Sequence, residues 1–168
     1  MSNKIGIFFG STTGDTERIA NAIASKMKIE KSDIHNAGSF SASDLEKYDV
    51  LLLGSSTWGF GDLQDDWESG VSTVEKAALS GKKAAVFGCG DSASYPDSFC
   101  GALGKLAESL RKAGASIIGQ VDAGEYSYSD SESVENGKFV GLAHDEVNES
   151  DKTDARIDAW IEKLNNEL

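Results

Sequence analysis

The chain has 168 residues, 39% of them hydrophobic, with a single proline. That suffices for one compact core and one domain over residues 1–168, with no apolar stretch of the roughly 20 residues needed to span a bilayer. Sixteen basic against twenty-eight acidic residues leave a net charge of −12, which argues against nucleic acid, whose binding needs phosphates neutralised by Lys and Arg. Two cysteines eleven positions apart, Cys89 and Cys100, match no ligand or redox spacing. No basic region or cleavage site precedes the strand-like Ile5-Gly6-Ile7-Phe8-Phe9, so a cytoplasmic protein with reduced thiols is expected.

In chain order, strands and helices alternate. Residues 4–9 form an apolar run, and residues 16–27 then show helical spacing through Ile19, Ala20, Ile23 and Met27. A weaker strand lies at 33–36. Ser43-Asp44-Leu45-Glu46 carries the Ser-x-x-Glu pattern of a capping box. Residues 49–54 hold Val50-Leu51-Leu52-Leu53, a fully apolar strand, and 66–79 read as a helix stopped by Ser80-Gly81. A fourth strand spans 83–88. Residues 99–113 are helical, with Leu103, Leu106 and Leu110 on one face and Gly114 as the stop. Residues 115–119 open a fifth strand. Between 121 and 137 the pattern breaks, with a turn at Asn136-Gly137, before apolar character returns at Phe139-Val140-Gly141-Leu142; this reads as an insertion in or beside the fifth strand. A last helix, 153–164, carries Ile157, Trp160, Ile161 and Leu164.

Strands that are apolar throughout, not alternating, are covered on both faces, which implies a parallel sheet between two helical layers. In such sheets ligands bind beyond the carboxyl ends of the strands. Three unusual loops sit there, after the first, third and fourth strands, and are expected to meet in space. The first, Gly10-Ser11-Thr12-Thr13-Gly14-Asp15-Thr16, offers hydroxyls and the amides of a helix N-terminus, which suit a phosphate. It lacks the lysine of a nucleotide triphosphate loop. The second, Ser56-Thr57-Trp58-Gly59-Phe60-Gly61-Asp62, sets Trp58 among small residues where burial is hard to arrange. The third, running from Cys89, Gly90 and Asp91 to Tyr95, Pro96 and Asp97, offers a second aromatic face. An anion cradle and two flat apolar faces fit a planar cofactor with a phosphate tail. Trp67 and Trp160, on helices, are expected in the core, and His35 and His144 are read as surface or satisfied core histidines. No metal site is expected.

Charge is uneven as well. From 48 to 74 the acids are Asp49, Asp62, Asp65, Asp66 and Glu68, with no Lys or Arg, and residues 84–104 also lack both. The segment is either a solvated face or a docking face for basic partners.

Together these loops closely resemble flavodoxin of the long-chain bacterial type, over residues 5–160. The resemblance implies a flavodoxin-like three-layer α/β sandwich, with a five-stranded parallel sheet of order 2-1-3-4-5 and an insertion in the fifth strand. It implies FMN held non-covalently, with phosphate on Ser11, Thr12, Thr13, Gly14, Asp15 and Thr16 and the ring between Trp58 and Tyr95. Ser56, Thr57, Gly59, Phe60 and Gly61 would border the ring on one side, and Cys89, Gly90, Asp91 and Asp97 on the other. Asp15 stands where the family more often has Asn or Lys, and Gly59 where several relatives carry Asn. The implied function is low-potential one-electron transfer by semiquinone/hydroquinone cycling, not enzymatic catalysis. Implied partners are basic-faced redox enzymes such as a flavodoxin/ferredoxin-NADP reductase or a ferredoxin-type oxidoreductase, met by a monomer. Two other functions compete with this one. A flavin-dependent NAD(P)H or quinone reductase would need an open cavity over the ring, and a phosphotransfer receiver would need acids where Phe9-Gly10 and Gly54-Ser55 stand.

Overall fold

The computed structural model describes residues 4–11, 14–58 and 61–168, with Glu125 described in its backbone only. Strand β1 (Ile5–Gly10) leads to helix α1 (Asp15–Met27), β2 (Ile34–Asn36), the short α2 (Ala42–Glu46), β3 (Val50–Trp58), β4 (Asp62–Leu63), α3 (Trp67–Lys76), β5 (Lys83–Cys89) and α4 (Gly101–Lys112). Then come β6 (Ser116–Ile117), β7 (Val121–Asp122), β8 (Val134–Glu135), β9 (Lys138–Phe139), β10 (Leu142–His144) and α5 (Thr153–Glu167).

The main sheet runs in the order β10-β5-β3-β1-β2, and those neighbours pair in parallel. Successive residues of one strand serve opposite cores, which is why the strands are apolar without alternation. Phe8, Leu51, Leu53, Ala84 and Val86 pack with Trp67, Val74, Leu103, Leu106 and Leu110 of α3 and α4. Ile7, Phe9, Val50, Leu52, Ala85 and Phe87 pack with Ile19 and Ile23 of α1 and with Ile157, Trp160 and Leu164 of α5. Trp67 and Trp160 are buried as expected, and each indole N–H donates to a carbonyl at 2.7 Å, those of Gly54 and Gly119. Each helix is thereby pinned to a strand or its continuation.

Two local expectations are corrected. The capping box exists two residues earlier than predicted: Ser41 is the N-cap of α2, and Asp44, not Glu46, completes the reciprocal pair. A carboxylate on either a two- or a three-carbon stem can reach back to the N-cap amide, so spacing alone did not separate Ser41 from Ser43. The fifth strand is also shorter than 115–119. Lys83 and Ala84 pair with Ser116 and Ile117, whereas Phe87, Gly88 and Cys89 pair with Leu142, Ala143 and His144. β6 and β10 thus fill one edge position of the sheet, and the chain leaves between them and returns. The excursion carries a small antiparallel sheet of order β7-β9-β8. Asn136 and Gly137 form its tight turn with φ of 54° and 79°, the left-handed values that a two-residue hairpin of this kind requires.

The insertion braces α4. Ser133 Oγ donates to Cys100 O at 2.5 Å and accepts from Gly104 N at 2.7 Å, holding the start of the helix. Phe139 sits against Phe99, Tyr126 and Tyr128, with ring centroids 4.9–5.8 Å away. Among the described residues, no helix is long and apolar enough to cross a membrane.

Candidate cofactor site

The carboxyl ends of β1, β3 and β5 lie side by side, with Gly10 opposite Ser55 and Ser56 opposite Cys89. The three loops leaving them converge as predicted on one cleft of about 250 Å³, lined by Asp15, Ser56, Thr57, Trp58, Cys89, Gly90, Asp91, Tyr95 and Val147. Among the described residues, Trp58 and Tyr95 are the large exposed aromatics, 41% and 40% accessible, and both line this cleft. Two flat apolar faces left open to solvent are costly unless something covers them.

The first loop meets the cleft at the start of α1. Gly14, at φ 96°, is the N-cap of this thirteen-residue helix, and among the described residues no side-chain cap bond is made there. The leading amides and the dipole of a helix start favour an anion. Ser11 Oγ accepts from Gly14 N at 3.1 Å. Thr16, predicted among the phosphate donors, is fully buried and does not line the cleft; its hydroxyl lies 2.9 Å from Ser56 Oγ and ties the first loop to the second. Thr12, Thr13, Gly59 and Phe60, also predicted, lie outside the described residues.

The second loop is built to return. Gln64 N donates to Ser55 Oγ at 3.1 Å, and Ala102 N donates to Thr57 Oγ1 at 3.2 Å, which fastens the loop to α4. Gly61 does not line the cleft. It holds φ 94°, and a Cβ there would stand 2.8 Å from Glu132 Oε1, so the turn admits only glycine without strain.

The third loop is held by a part of the chain that the sequence reading missed. Asp145, buried just past β10, accepts from Ser92 Oγ and, at 3.3 Å, from Ser92 N. Asn148 Nδ2 donates to both Asp91 Oδ1 and Asp145 Oδ1 at 2.9 Å. Burial raises the Asp91 carboxyl, but hydrogen bonds from Ser94, Asn148 and Ala93 outweigh it and leave the group below its usual range. Val147, from the same segment, adds an exposed apolar side chain to the cleft wall. Asp97 is exposed and away from the cleft lining. Cys89 lines the cleft floor, and burial pushes its thiol up to about 12, so it stays neutral.

Two cations pair with acids of the first two loops from outside the windows that lack Lys and Arg. Arg18, one turn into α1, binds Asp15 at 3.0 Å and Glu146 at 2.7 Å, offsetting the acid beside the anion cradle. Lys105, one position beyond the window, stands 3.7 Å from both Asp62 and Glu132. Among the described residues, no cluster of three or more His, Cys, Asp or Glu could hold a metal.

A family model matches the residues that build this sheet and its three carboxyl-end loops. The Flavodoxin model covers residues 7–160. The chain belongs to the flavodoxin family. It is 40% identical to a flavodoxin from Nostoc over the whole of this chain and 99% of that protein. Flavodoxin 1 of Escherichia coli is likewise 40% identical, over 97% of this chain and 93% of that one. Among solved structures, Fusobacterium nucleatum flavodoxin bound to flavin mononucleotide superposes with a TM-score of 0.88 at 29% identity, over 99% of each chain. Oxidised flavodoxin 1 from Bacillus cereus gives 0.69 at 31% identity, over 96% and 97%. In flavodoxin terms, the cleft found here is on the side of the sheet where a switch-point ligand is expected.

Proposed function

We propose that the chain is a one-electron carrier of the cytoplasm that holds FMN non-covalently in this cleft, with the phosphate on the start of α1 and the ring between Trp58 and Tyr95. The convergence of those two exposed aromatics on a cleft that begins at a helix N-terminus is the observation that carries the reading. FMN, when bound, supplies the one-electron redox chemistry. The chain supplies binding and surroundings. Trp58 and Tyr95 exclude water from the ring faces, each such stack adding about 0.5–1.5 kcal/mol beyond the area buried. Gly90 and Asp91 form the edge toward the third loop, while Ser56 and Thr57 form the edge toward the second. The neutral Cys89 thiol offers no thiolate to a substrate, which suits a carrier better than a catalyst.

The acids of the second loop and of α3 give the carrier its low potential and its docking face. Each negative charge near the ring opposes added electrons, and together they attract a basic-faced redox enzyme. Asp62 contributes less than Asp65 and Asp66, because Lys105 stands beside it.

Titration of the apoprotein with FMN and with riboflavin, followed by quenching of flavin fluorescence, tests the site. Two charge-assisted bonds to phosphate at about 1.5–3 kcal/mol each favour FMN by about a hundredfold or more. Equal affinities would remove the phosphate from α1.

A further inference from the structure

Tyr95 reaches the cleft from a short turn that carries it out to solvent. Downstream, that turn is fixed by the insertion, since Pro96 O accepts from Ser129 N at 2.8 Å and from Asp130 N at 2.9 Å. Upstream, its centre is Asp91. The main-chain oxygen of Asp91 accepts from Tyr95 N at 2.9 Å. Its carboxylate Oδ1 accepts from Ser94 N at 3.0 Å and from Ala93 N at 3.2 Å. Whatever holds Asp91 therefore holds the turn that presents Tyr95.

Asn148 does so from the segment after β10. Its Nδ2 donates to Asp91 Oδ1 and to Asp145 Oδ1, both at 2.9 Å. A side-chain amide nitrogen carries two protons and no charge, so one Asn can serve two carboxylates. Asp145 is buried and also accepts from Ser92 Oγ and, at 3.2 Å, from Asn148 N. The two acids stand on either side of one nitrogen, and like charges so placed repel unless a donor lies between them. Ala in that place offers no proton, and an ionised Asp adds a third negative charge. The base from which Asn148 reaches is itself fixed. Glu146 accepts from Arg18 Nη2 of α1 at 2.7 Å and from Thr153 Oγ1 of α5. Residues 145–148 are thus tied to two helices, and Asn148 carries their hold to Asp91.

We propose that Asn148 is a positioning residue for the bound cofactor: by holding Asp91 it sets where Tyr95 stands relative to Trp58, and so the fit of the ring between them. Only that last step rests on the flavin reading. The link from Asn148 to the turn belongs to the chain itself.

Asn148→Ala and Asn148→Asp in the full chain test it, and the side chain is exposed, so neither variant opens the core. In the apoprotein, amide hydrogen exchange at Ser94 and Tyr95 is expected to quicken about three- to tenfold in Asn148→Ala and further in Asn148→Asp, with Gly104 unchanged. Titration followed by flavin fluorescence quenching should show FMN and riboflavin weakened by one common factor of about three- to tenfold, because the ring end is altered and the phosphate end is not. In an Asp91→Ala background, Asn148→Ala should change FMN affinity by less than about twofold, since its route is already cut. Unchanged exchange at Ser94 and Tyr95, a loss confined to FMN, or the full loss persisting in the Asp91→Ala background would each overturn the proposal. A parent chain that binds neither flavin would overturn the flavin reading and this proposal together, whereas the other three outcomes leave that reading standing.

Discussion

Thr16 separates what a residue type suggests from what its surroundings make of it. A threonine at the head of a helix, next to an anion cradle, reads as a ligand for phosphate, yet its hydroxyl is buried against Ser56 forty positions away. That contact joins the first loop to the second. Replacing the threonine with valine keeps the shape and removes the bond. Thr16→Val is therefore expected to lower the unfolding free energy of the apoprotein by about 1–3 kcal/mol, measured by urea denaturation, with Thr16→Ser recovering most of the loss. An apoprotein of unchanged stability that binds FMN poorly would instead make the hydroxyl a ligand contact. Trp58 and Tyr95 were legible because large aromatics among glycines, serines and an isolated proline have no core to enter. Val147, Asn148 and Asp145 were not, because the only local clue to them is a three-residue strand, β10, on the far side of the insertion.

At the scale of elements, the insertion and α4 behave as one unit, and two of their contacts differ in worth. Ser133 is fully buried and serves both a carbonyl and an amide at the start of α4. Ser133→Ala orphans the Gly104 amide, at about 1–3 kcal/mol for a buried unpaired group, while Cys100 O keeps its bond from Leu103 N at 3.1 Å. Arg111 makes a two-pronged pair with Glu135 at 2.8 and 2.9 Å, but both side chains are more than 40% exposed. Solvent and salt screen such a pair, so Arg111→Gln should change stability by less than about 1 kcal/mol. Chemical denaturation of both variants, with hydrogen exchange read at Gly104, checks the order. If Arg111→Gln proves the more damaging, the insertion is held by its rim and not by the serine. The third loop depends on this unit, since it runs directly into the N-terminus of α4.

For the whole molecule, charge acts through both the surface and the core. His144 is buried and neutral, its pKa lowered from 6.5 to about 3 chiefly by burial and then by the Arg156 charge. The unfolded chain takes up a proton below 6.5 that the folded chain refuses until about 3, so stability is lost as pH falls through that window. One proton corresponds to about 1.4 kcal/mol per pH unit. Between roughly pH 6 and pH 5, where carboxylates are still mostly ionised, His144→Leu should remove most of the slope seen in urea unfolding of the parent. Parallel slopes for the two proteins would show that carboxylates, not His144, set the acid limit. On the outside, sixteen basic residues against twenty-eight acidic ones create a negative field, which under the proposed function steers a basic partner. Its range is the Debye length, about 8–10 Å near physiological salt. Reduction by a basic-faced redox enzyme, followed by stopped flow, should therefore slow steeply as ionic strength rises, and a rate independent of salt would leave the acids to solubility alone.

The sequence by itself determined the layers and the side of the sheet that binds. Strands apolar at every position require cover on both faces, helical spacing in 16–27 and 99–113 supplies that cover, and loops rich in glycine, serine and threonine at strand ends mark the open side. These are consequences of burial, which has a period that can be read locally. Partnership has no such period. Thr16 with Ser56, Asn148 with Asp91, Lys105 with Asp62 and Ser133 with Cys100 are joined across 33 to 57 positions, and only the packed molecule brings them within reach. The same holds for the split of the fifth strand, since two residues of β6 and three of β10 become strands because the edge of β5 is there to pair with them. Tertiary structure alone decided that Arg156 is buried between Glu149 and the Tyr126 ring, because a side chain's surroundings are set by every element packed against it.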